Sequence, residues 1–396
     1  MRVYADNAAT TKLSPAAKEA MLPYFDEIYG NPSTLYTLGQ EAAEHLLACR
    51  TEIAQLIGAA DPREIVFTSG GSEADNQAII SAARNGARKG KKHLISTKFE
   101  HHAVLHTLDK LRKEGFDVTL LDVHENGVVR VEDVAAAIRE DTALVSVMFA
   151  NNEIGTIQPI RAIGALCRER GIPFHTDAVQ AIGHVPVNVQ EMNIDLLSCS
   201  AHKFHGPRGV GFLYVRRGIP LTNIIEGGAQ ERGKRGGTEN TPAIAGMAAA
   251  LREAVDHMAE NTEKVTRLRE TLIAGLSTIE HARLNGDREQ RVPGTVNFCF
   301  EGIEGESLLL LLDRKGIAAS SGSACTSGSL DPSHVLLAIG LPHEVVHGSL
   351  RLSVGEYNTD EEMAYIVDNV RQVVAYLRSI SPVWDELETG ARPHLI

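Results

Sequence analysis

The sequence of 396 residues contains no hydrophobic run long enough to cross a membrane. Its longest leucine run, Leu308 to Leu312, is followed directly by Asp313, Arg314 and Lys315. At the amino terminus, Asp6 precedes any apolar run, so a secretory signal peptide is not expected. We therefore expect a cytoplasmic protein with no membrane partner.

Basic residues are outnumbered by acidic ones. The chain has 39 Lys and Arg against 51 Asp and Glu, a formal net charge of -12. An acidic surface repels phosphate backbones and anionic lipids, and the sequence shows no local basic patch. We therefore expect no nucleic-acid partner.

Cysteine is scarce, with five residues and no Cys-x-x-Cys pair, which argues against a disulfide scaffold or an intrinsic metal site. Cys49, Cys167, Cys199 and Cys299 fall in helical or strand patterns and are expected to pack as small apolar side chains. Cys325 differs because the small polar residues of 320–329 surround it, so we expect an exposed, mobile thiol. A nucleophilic role is the favoured interpretation, with an incidental loop thiol as the alternative.

Short β-branched runs alternate with amphipathic stretches between about residues 40 and 250, a pattern typical of βαβ units. Consecutive apolar residues in several runs indicate strands covered on both faces. The pattern predicts an α/β fold with a mainly parallel seven-stranded sheet flanked by helices. The predicted strands are 64–68, 93–96, 117–121, 143–148, 173–176, 194–198 and 210–215.

A helical pattern over 243–274 is followed by further strands at 296–300 and 350–354 and a helix at 360–377. We interpret this change as a crossing into a second, smaller α+β domain. The predicted division is a large domain of residues 15–260 and a small domain of residues 1–14 and 261–396. The small domain carries the 320–329 loop.

Parallel sheets place ligand-binding residues at the carboxyl ends of their strands. Gly70, Gly71 and Ser72 follow the first predicted strand of the sheet and open a helical pattern, an arrangement suited to a phosphate. Read alone, the segment is better explained as a plain turn with Ser72 as helix cap. Lys203 follows a buried strand beside Ser200 and His202, where a desolvated amine suits a Schiff base; a surface lysine is the alternative.

Asp177 also follows an apolar strand and needs a cationic or hydrogen-bonding partner, unless it only caps the next helix. Asn152 and His101 follow two further strands and would add an amide and an imidazole to the same edge. His102 and His106 have metal-ligand spacing, but no third ligand is evident. Together these residues describe one pocket for an anionic aromatic cofactor, for which a lysine and a carboxylate match the requirements of pyridoxal phosphate.

Nine motifs in order along the chain resemble the group I cysteine desulfurases of pyridoxal-phosphate fold type I. They are Asp6 to Thr11, Asn31 to Ser33, Phe67 to Gly70, Glu100-His101, Asn151 to Gly155, Asp177 to Gln180, Ser200 to Lys203, Gly236 to Asn240 and Ser321 to Cys325. Further segments, 230–233, 326–330 and 381–384, look closest to the nitrogen-fixation (NifS) branch.

The resemblance implies roles for individual residues. Lys203 would form the Schiff base with pyridoxal 5'-phosphate, and Asp177 would face its ring nitrogen. His101 would stack on the ring and Gln180 would bind its phenolic oxygen. Arg351 and Asn152 would bind the substrate carboxylate next to the cofactor. The implied phosphate ligands are Gly71, Ser72, Ser200, His202 and, from the partner subunit of a homodimer, Thr238.

The implied reaction converts L-cysteine to L-alanine and leaves a persulfide on Cys325. Lys203 would remove the Cα proton, and the sulfur would pass to an iron–sulfur scaffold protein, on which Cys325 is a candidate transient cluster ligand through its persulfide. Two alternatives remain open: another fold type I enzyme, such as a selenocysteine lyase or an aminotransferase, and a non-catalytic sulfur-carrier or scaffold-binding protein.

Overall fold

The computed structural model describes residues 1–321 and 332–396. Its strands are β1 (Val3–Tyr4), β2 (Ile65–Thr68), β3 (His93–Thr97), β4 (Asp117–Leu121), β5 (Thr142–Ser146), β6 (Phe174–Asp177), β7 (Leu196–Ser200), β8 (Gly211–Val215), β9 (Ala282–Leu284), β10 (Thr295–Phe300), β11 (Ile317–Ala318) and β12 (Ser349–Ser353). All seven strands predicted between residues 64 and 215 are present, which confirms the α/β fold.

The helices alternate with these strands through the first half of the chain. They are α1 (Pro15–Met21), α2 (Thr37–Leu56), α3 (Gly71–Ala87), α4 (His102–Lys113), α5 (Val131–Ala137), α6 (Ile160–Glu169), α7 (Thr241–Asp256), α8 (Met258–Leu276), α9 (Gly305–Arg314), α10 (His334–Ala338), α11 (His343–Val346), α12 (Asp360–Ser379) and α13 (Pro382–Glu388). The predicted helical stretch 243–274 is two helices, α7 and α8, that meet at His257.

The central sheet has seven strands in the order β2-β8-β7-β6-β5-β3-β4. Strands β4, β3, β5, β6 and β7 run parallel, whereas β8 is antiparallel to both of its neighbours. The parallel strands therefore bring their carboxyl ends to one edge of the sheet.

Alternation along each strand sends its side chains into two different apolar layers. In β2, Ile65 and Phe67 join a large core with α2, α6 and α7, while Val66 packs on the opposite face with α3 and α4. Leu196 and Leu197 of β7 are divided in the same way. Helices on both faces explain why these strands are apolar at consecutive positions.

Strand β7 begins and ends two residues later than predicted. The carboxylate of Asp195, the residue just before the strand, accepts the backbone N–H of Phe174. The strand ends at Ser200, and a 3-10 turn, Ala201–Lys203, begins immediately after it.

A further apolar core lies outside the seven-stranded sheet. It combines Val3 and Ala5 near the amino terminus with residues from α8, α9, α12 and the three-stranded antiparallel sheet β12-β10-β9. Strand β1 also pairs with β11. We propose on this basis the division into residues 15–260 and residues 1–14 with 261–396.

Within the part of the chain that the structure describes, no helix combines the length and the apolar character needed to cross a lipid bilayer.

A buried ion pair connects the segment before α7 to the central seven-stranded sheet. Arg50 of α2 donates two hydrogen bonds to the carboxylate of Glu231, at 2.7 and 2.6 Å, and both side chains are less than a tenth exposed. Glu231 also accepts the backbone N–H of Phe67, and Arg50 donates to the carbonyl of Ile65. The pair thus connects α2, β2 and the 230–233 turn.

Removal of one partner of this pair is expected to destabilise the protein strongly, because an uncompensated charge stays buried. We predict that Glu231→Ala lowers the free energy of unfolding by about 3 kcal/mol or more. The matched control is Glu52→Ala, which breaks the half-exposed Arg252–Glu52 pair and is expected to cost about 1 kcal/mol or less. Thermal and urea unfolding measure both; equal losses would contradict the interpretation.

Candidate active site

The parallel strands bring the predicted site residues to one edge of the central sheet. Asp177 is the last residue of β6, Ser200 is the last residue of β7, and His101 caps the helix that follows β3. Asp177 pairs with Ser198 in the β6–β7 register, which fixes the relative height of the two strand ends. The proximity predicted from the strand ends is therefore present.

Lys203 occupies the last position of the 3-10 turn that follows β7. Its ammonium group donates hydrogen bonds to the carbonyl oxygens of Ala8 and Ala9, at 2.6 and 2.9 Å. The side chain of Gln180 donates to the same carbonyl of Ala8, at 3.0 Å. The amino-terminal segment thus positions the lysine next to the strand that ends in Asp177.

Asp177 lies in a cluster of titratable groups. Oxygen or nitrogen atoms of Asp75, His101 and Asp177 all lie within 4.8 Å of one another. Burial raises the pKa of Asp177, and the neighbouring His101 and Lys203 oppose that rise. The carboxylate also accepts the backbone N–H of Val179 at 3.0 Å. Asp177 is therefore a buried acid with stabilising groups around its charged form.

His101 is held in one orientation by the start of α4. Its Nδ1 accepts the backbone N–H of Ala103 at 3.1 Å, so a neutral ring carries its proton on Nε2. Burial, together with the charge of Lys203, lowers the pKa of His101 although Asp177 opposes the shift. The imidazole is thus favoured in its neutral form.

A backbone cradle forms where β2 passes into α3. Gly70 adopts a φ of 149°, and a Cβ on Gly71 would lie only 2.6 Å from a methyl carbon of Val179. Ser200 borders the same turn, because its hydroxyl would lie 3.4 Å from a Cβ on Gly70. Ser72, in the first turn of α3, is exposed. These small residues leave space beside free N–H groups of a helix start, an arrangement that suits a phosphate.

His202 is tied to the amino-terminal segment. Its Nδ1 lies 3.1 Å from the hydroxyl of Thr10, and its carbonyl accepts the backbone N–H of Thr11. Burial and the charges of Lys203 and Arg208 lower the pKa of His202 to about 4.

Arg351, in the middle of β12, supplies a buried guanidinium. It donates to the carboxylate of Asp6 at 2.8 Å and to the backbone carbonyl of Asn152 at 3.0 Å. Its Nε is buried with no hydrogen-bond partner among the described residues. The group therefore retains donor capacity for an anion, as the resemblance implies for a substrate carboxylate.

Cys325 lies outside the described residues, but both flanks of its segment are held at the site. Ser320 and Arg351 exchange backbone hydrogen bonds. On the other side, the hydroxyl of Ser333 donates to Glu153, and Nε2 of His334 lies 2.9 Å from the carbonyl of Glu100.

The other four cysteines lack the character of a nucleophile. Cys167, Cys199 and Cys299 are buried, and Cys49 is half-buried. Burial raises the pKa of each thiol, to about 11 for Cys49 and to about 12 for Cys167 and Cys299. At neutral pH these four residues are thiols rather than thiolates.

Thr238 is the predicted phosphate ligand that lies farthest along the chain. It is exposed, in the segment between the 230–233 turn and α7. Its implied role depends on a partner subunit, and it stays a prediction.

Sequence reasoning missed three parts of the site. The carbonyls of Ala8 and Ala9 receive the lysine ammonium, and Asp6 pairs with Arg351 across a separation of 345 residues. Asp75 is the third part that was missed. The sequence does contain a signal for it, because this acid stands next to Ala74 on the buried face of α3. The long-range pairs left no local signal in the chain.

The residues present fit pyridoxal phosphate on their own chemistry. The cradle at Gly70 and Gly71 offers room and N–H donors for a phosphate, and Asp177 offers a buried carboxylate for a cationic ring nitrogen. Lys203 supplies a primary amine at the neighbouring strand end. The fit depends on these donors and charges taken together, because each residue alone is also explained by a purely structural role.

Comparisons with known proteins show the family of this chain. Residues 3–366 match the family model described as aminotransferase class-V. A protein of Clostridium botulinum named cysteine desulfurase IscS is 54% identical over 388 residues, which cover 97% of each chain. Another with the same name, from Methanosarcina thermophila, is 51% identical over 96% of this chain and 94% of its own.

Solved structures give the same result. A chain described as a NifS-like protein superposes with a TM-score of 0.89 at 38% identity, over 95% of this chain and 100% of its own. A structure described as SspA in complex with cysteine has a TM-score of 0.79 at 37% identity, over 90% of this chain and 99% of its own. The chain belongs to the class-V aminotransferase family and, within it, to the cysteine desulfurases.

Proposed function

We propose that this protein uses pyridoxal 5'-phosphate to take the sulfur from L-cysteine, releases L-alanine, and carries the sulfur as a persulfide on Cys325. The observation that carries the proposal is the position of Lys203. Its amine is held by the Ala8 carbonyl, and its charge opposes the rise that burial causes in the pKa of Asp177 and adds to the lowering of the pKa of His101. Membership of the cysteine desulfurases supports the same substrate.

The cofactor would be held by groups from several strand ends. When bound, it supplies an aldehyde that condenses with amines and a ring that takes up electrons from the substrate Cα. Asp177 would bind the ring nitrogen, His101 would cover the ring, and Gln180 would bind the phenolic oxygen. The phosphate ligands in this proposal are Gly71, Ser72, Ser200, His202 and, from the partner subunit, Thr238.

Lys203 would act as the base that removes the proton from the substrate Cα. Its two backbone carbonyl partners, Ala8 and Ala9, fix the position of the amine and carry no formal charge of their own. A neutral His101 with its proton on Nε2 would provide a second group for proton transfer in the same dry site.

Arg351 would orient the substrate by binding its carboxylate, with Asn152 beside it. The guanidinium is buried and already fixed by Asp6, so little side-chain entropy is lost when a substrate binds. Because Arg351 also pairs through its backbone with Ser320, the substrate carboxylate and the start of the cysteine segment are positioned by the same strand.

The transfer step balances without an external oxidant. The thiolate of Cys325 attacks the sulfur of L-cysteine, the bond between Cβ and sulfur breaks, and Cβ gains a proton to give L-alanine. The sulfur atom is oxidised to the persulfide level while Cβ is reduced.

The sulfur acceptor in this proposal is a scaffold for iron–sulfur clusters, reached in the cytoplasm, with Cys325 as a transient cluster ligand through its persulfide. A NifS-type role in nitrogen fixation stays a prediction. A homodimer is supported by the exposure of large apolar side chains in 22–38, a surface that water disfavours. These side chains are Leu22, Phe25, Tyr29, Leu35, Tyr36 and Leu38.

Replacement of the lysine tests the position of the base. We predict that Lys203→Ala lowers kcat for alanine formation by at least about 1000-fold, because both the Schiff base and the proton acceptor are removed. Borohydride should no longer attach the cofactor to the chain. Lys113→Ala, at an exposed position of α4, is the control and should behave as wild type. Full activity of Lys203→Ala would contradict the assignment.

Replacement of the loop cysteine tests the sulfur acceptor on the enzyme. We predict that Cys325→Ala abolishes sulfide release in the presence of a reductant, yet keeps the visible absorbance of bound cofactor and its change on addition of L-cysteine. The control is Cys49→Ala, which removes a thiol whose raised pKa keeps it protonated. Retained sulfide release would favour another fold type I activity, in which this cysteine is not needed.

Replacement of the arginine tests substrate binding. We predict that Arg351→Gln raises KM for L-cysteine by about 10- to 100-fold, the effect of losing a hydrogen-bonded charge pair. Arg283→Gln, on strand β9 of the same three-stranded sheet, is the matched control and should leave KM unchanged. An unchanged KM in Arg351→Gln would assign the carboxylate to other groups.

A further inference from the structure

We propose that Asp75 is a positioning residue that carries a proton and donates it in a hydrogen bond to Asp177, so that Asp177 stays ionised and oriented toward the cofactor. The inference deepens the proposed function and rests on it, because it assigns Asp177 to the ring nitrogen.

Asp75 lies next to Asp177 in the interior of the protein. It lies in the first two turns of α3, is 1% exposed, and has an oxygen within 4.8 Å of Asp177. Asp177 is 6% exposed, so both carboxyl groups are removed from water at this short separation. The helix that begins at the phosphate cradle therefore also reaches the acid at the end of β6.

Asp75 and Asp177 cannot both be ionised in this buried position. Among the described residues, Asp75 has no cation of its own to pair with. His175, whose Nε2 is 3.6 Å from Asp75, is fully buried, and burial lowers its pKa to about 3. Burial also raises the pKa of the nearby Glu100 to about 8, so that acid is neutral near pH 7 as well. The pair must therefore share one proton.

The surroundings decide which of the two acids holds the proton. Asp177 receives a backbone N–H from Val179 and faces His101 and Lys203, all of which stabilise its charge. Asp75 has an oxygen with no hydrogen-bond partner among the described residues, and burial together with the charge of Asp177 raises its pKa well above the usual range. Asp75 is consequently the protonated acid.

A donor at this position has a chemical consequence for the cofactor site. A hydrogen bond from Asp75 stabilises the anionic form of Asp177 and fixes the plane of its carboxylate. An ionised Asp177 in turn favours a proton on the ring nitrogen, the state in which the ring accepts electrons best.

The test compares two replacements of similar size in the holoenzyme. Asp75→Leu removes the donor, while Asp75→Asn keeps an N–H for Asp177. We expect Asp75→Leu to lower kcat by about 10- to 100-fold with KM for L-cysteine changed by less than about threefold. The pH midpoint of the visible band of bound cofactor should move by about one unit, a tenfold change in a protonation equilibrium. Asp75→Asn should restore most of both properties.

The controls separate this inference from folding and from the proposed function. Asn85→Leu, at the far end of α3, should leave the spectrum unchanged, and thermal unfolding reports any loss of structure. If Asp75→Leu keeps wild-type kcat and spectrum, or if Asp75→Asn is as impaired as Asp75→Leu, the role of Asp75 is wrong. If the wild-type chain binds no pyridoxal phosphate, the proposed function itself is wrong.

Discussion

The parallel register of β5, β6 and β7 is the constraint on which the rest of the site depends. It brings the ends of consecutive strands to one height, so that Asp177 and the turn that carries Lys203 become neighbours. The antiparallel β8 then closes the sheet against β2, whose end starts the phosphate cradle. Each group is placed by a backbone ladder buried on both faces, which limits how far the reacting groups can move.

The second requirement is the connection between the two ends of the chain and the sheet. The amino-terminal segment supplies the carbonyls that hold Lys203, and it supplies Asp6 to Arg351 of β12. Strand β12 is also bonded to Ser320 at the start of the cysteine segment. A substrate carboxylate bound at Arg351 would therefore lie at the junction of the lysine, the amino terminus and the segment that carries Cys325.

Local patterns were sufficient to predict the sheet, because apolar runs and the polar residues after them are properties of single segments. The seven strands belong to this class, and so does the placement of Asp177 at the end of β6 and of Lys203 just after β7. The end of β7 was misplaced by two residues, because the strand is bounded by its pairing with β6 and β8, which a single segment does not reveal. The protonation that we propose for Asp75 was also beyond a sequence reading, because it follows from the proximity of buried acids on α3 and β6.

The central claim is that sulfur leaves L-cysteine for one particular thiol. The most direct measurement is peptide mapping by mass spectrometry after the holoenzyme has reacted with one equivalent of L-cysteine carrying isotopically labelled sulfur, without reductant or acceptor. The account predicts one labelled sulfur on the peptide that contains Cys325 and one equivalent of L-alanine. Label on the peptides of Cys49, Cys167, Cys199 or Cys299, or pyruvate in place of alanine, would contradict it.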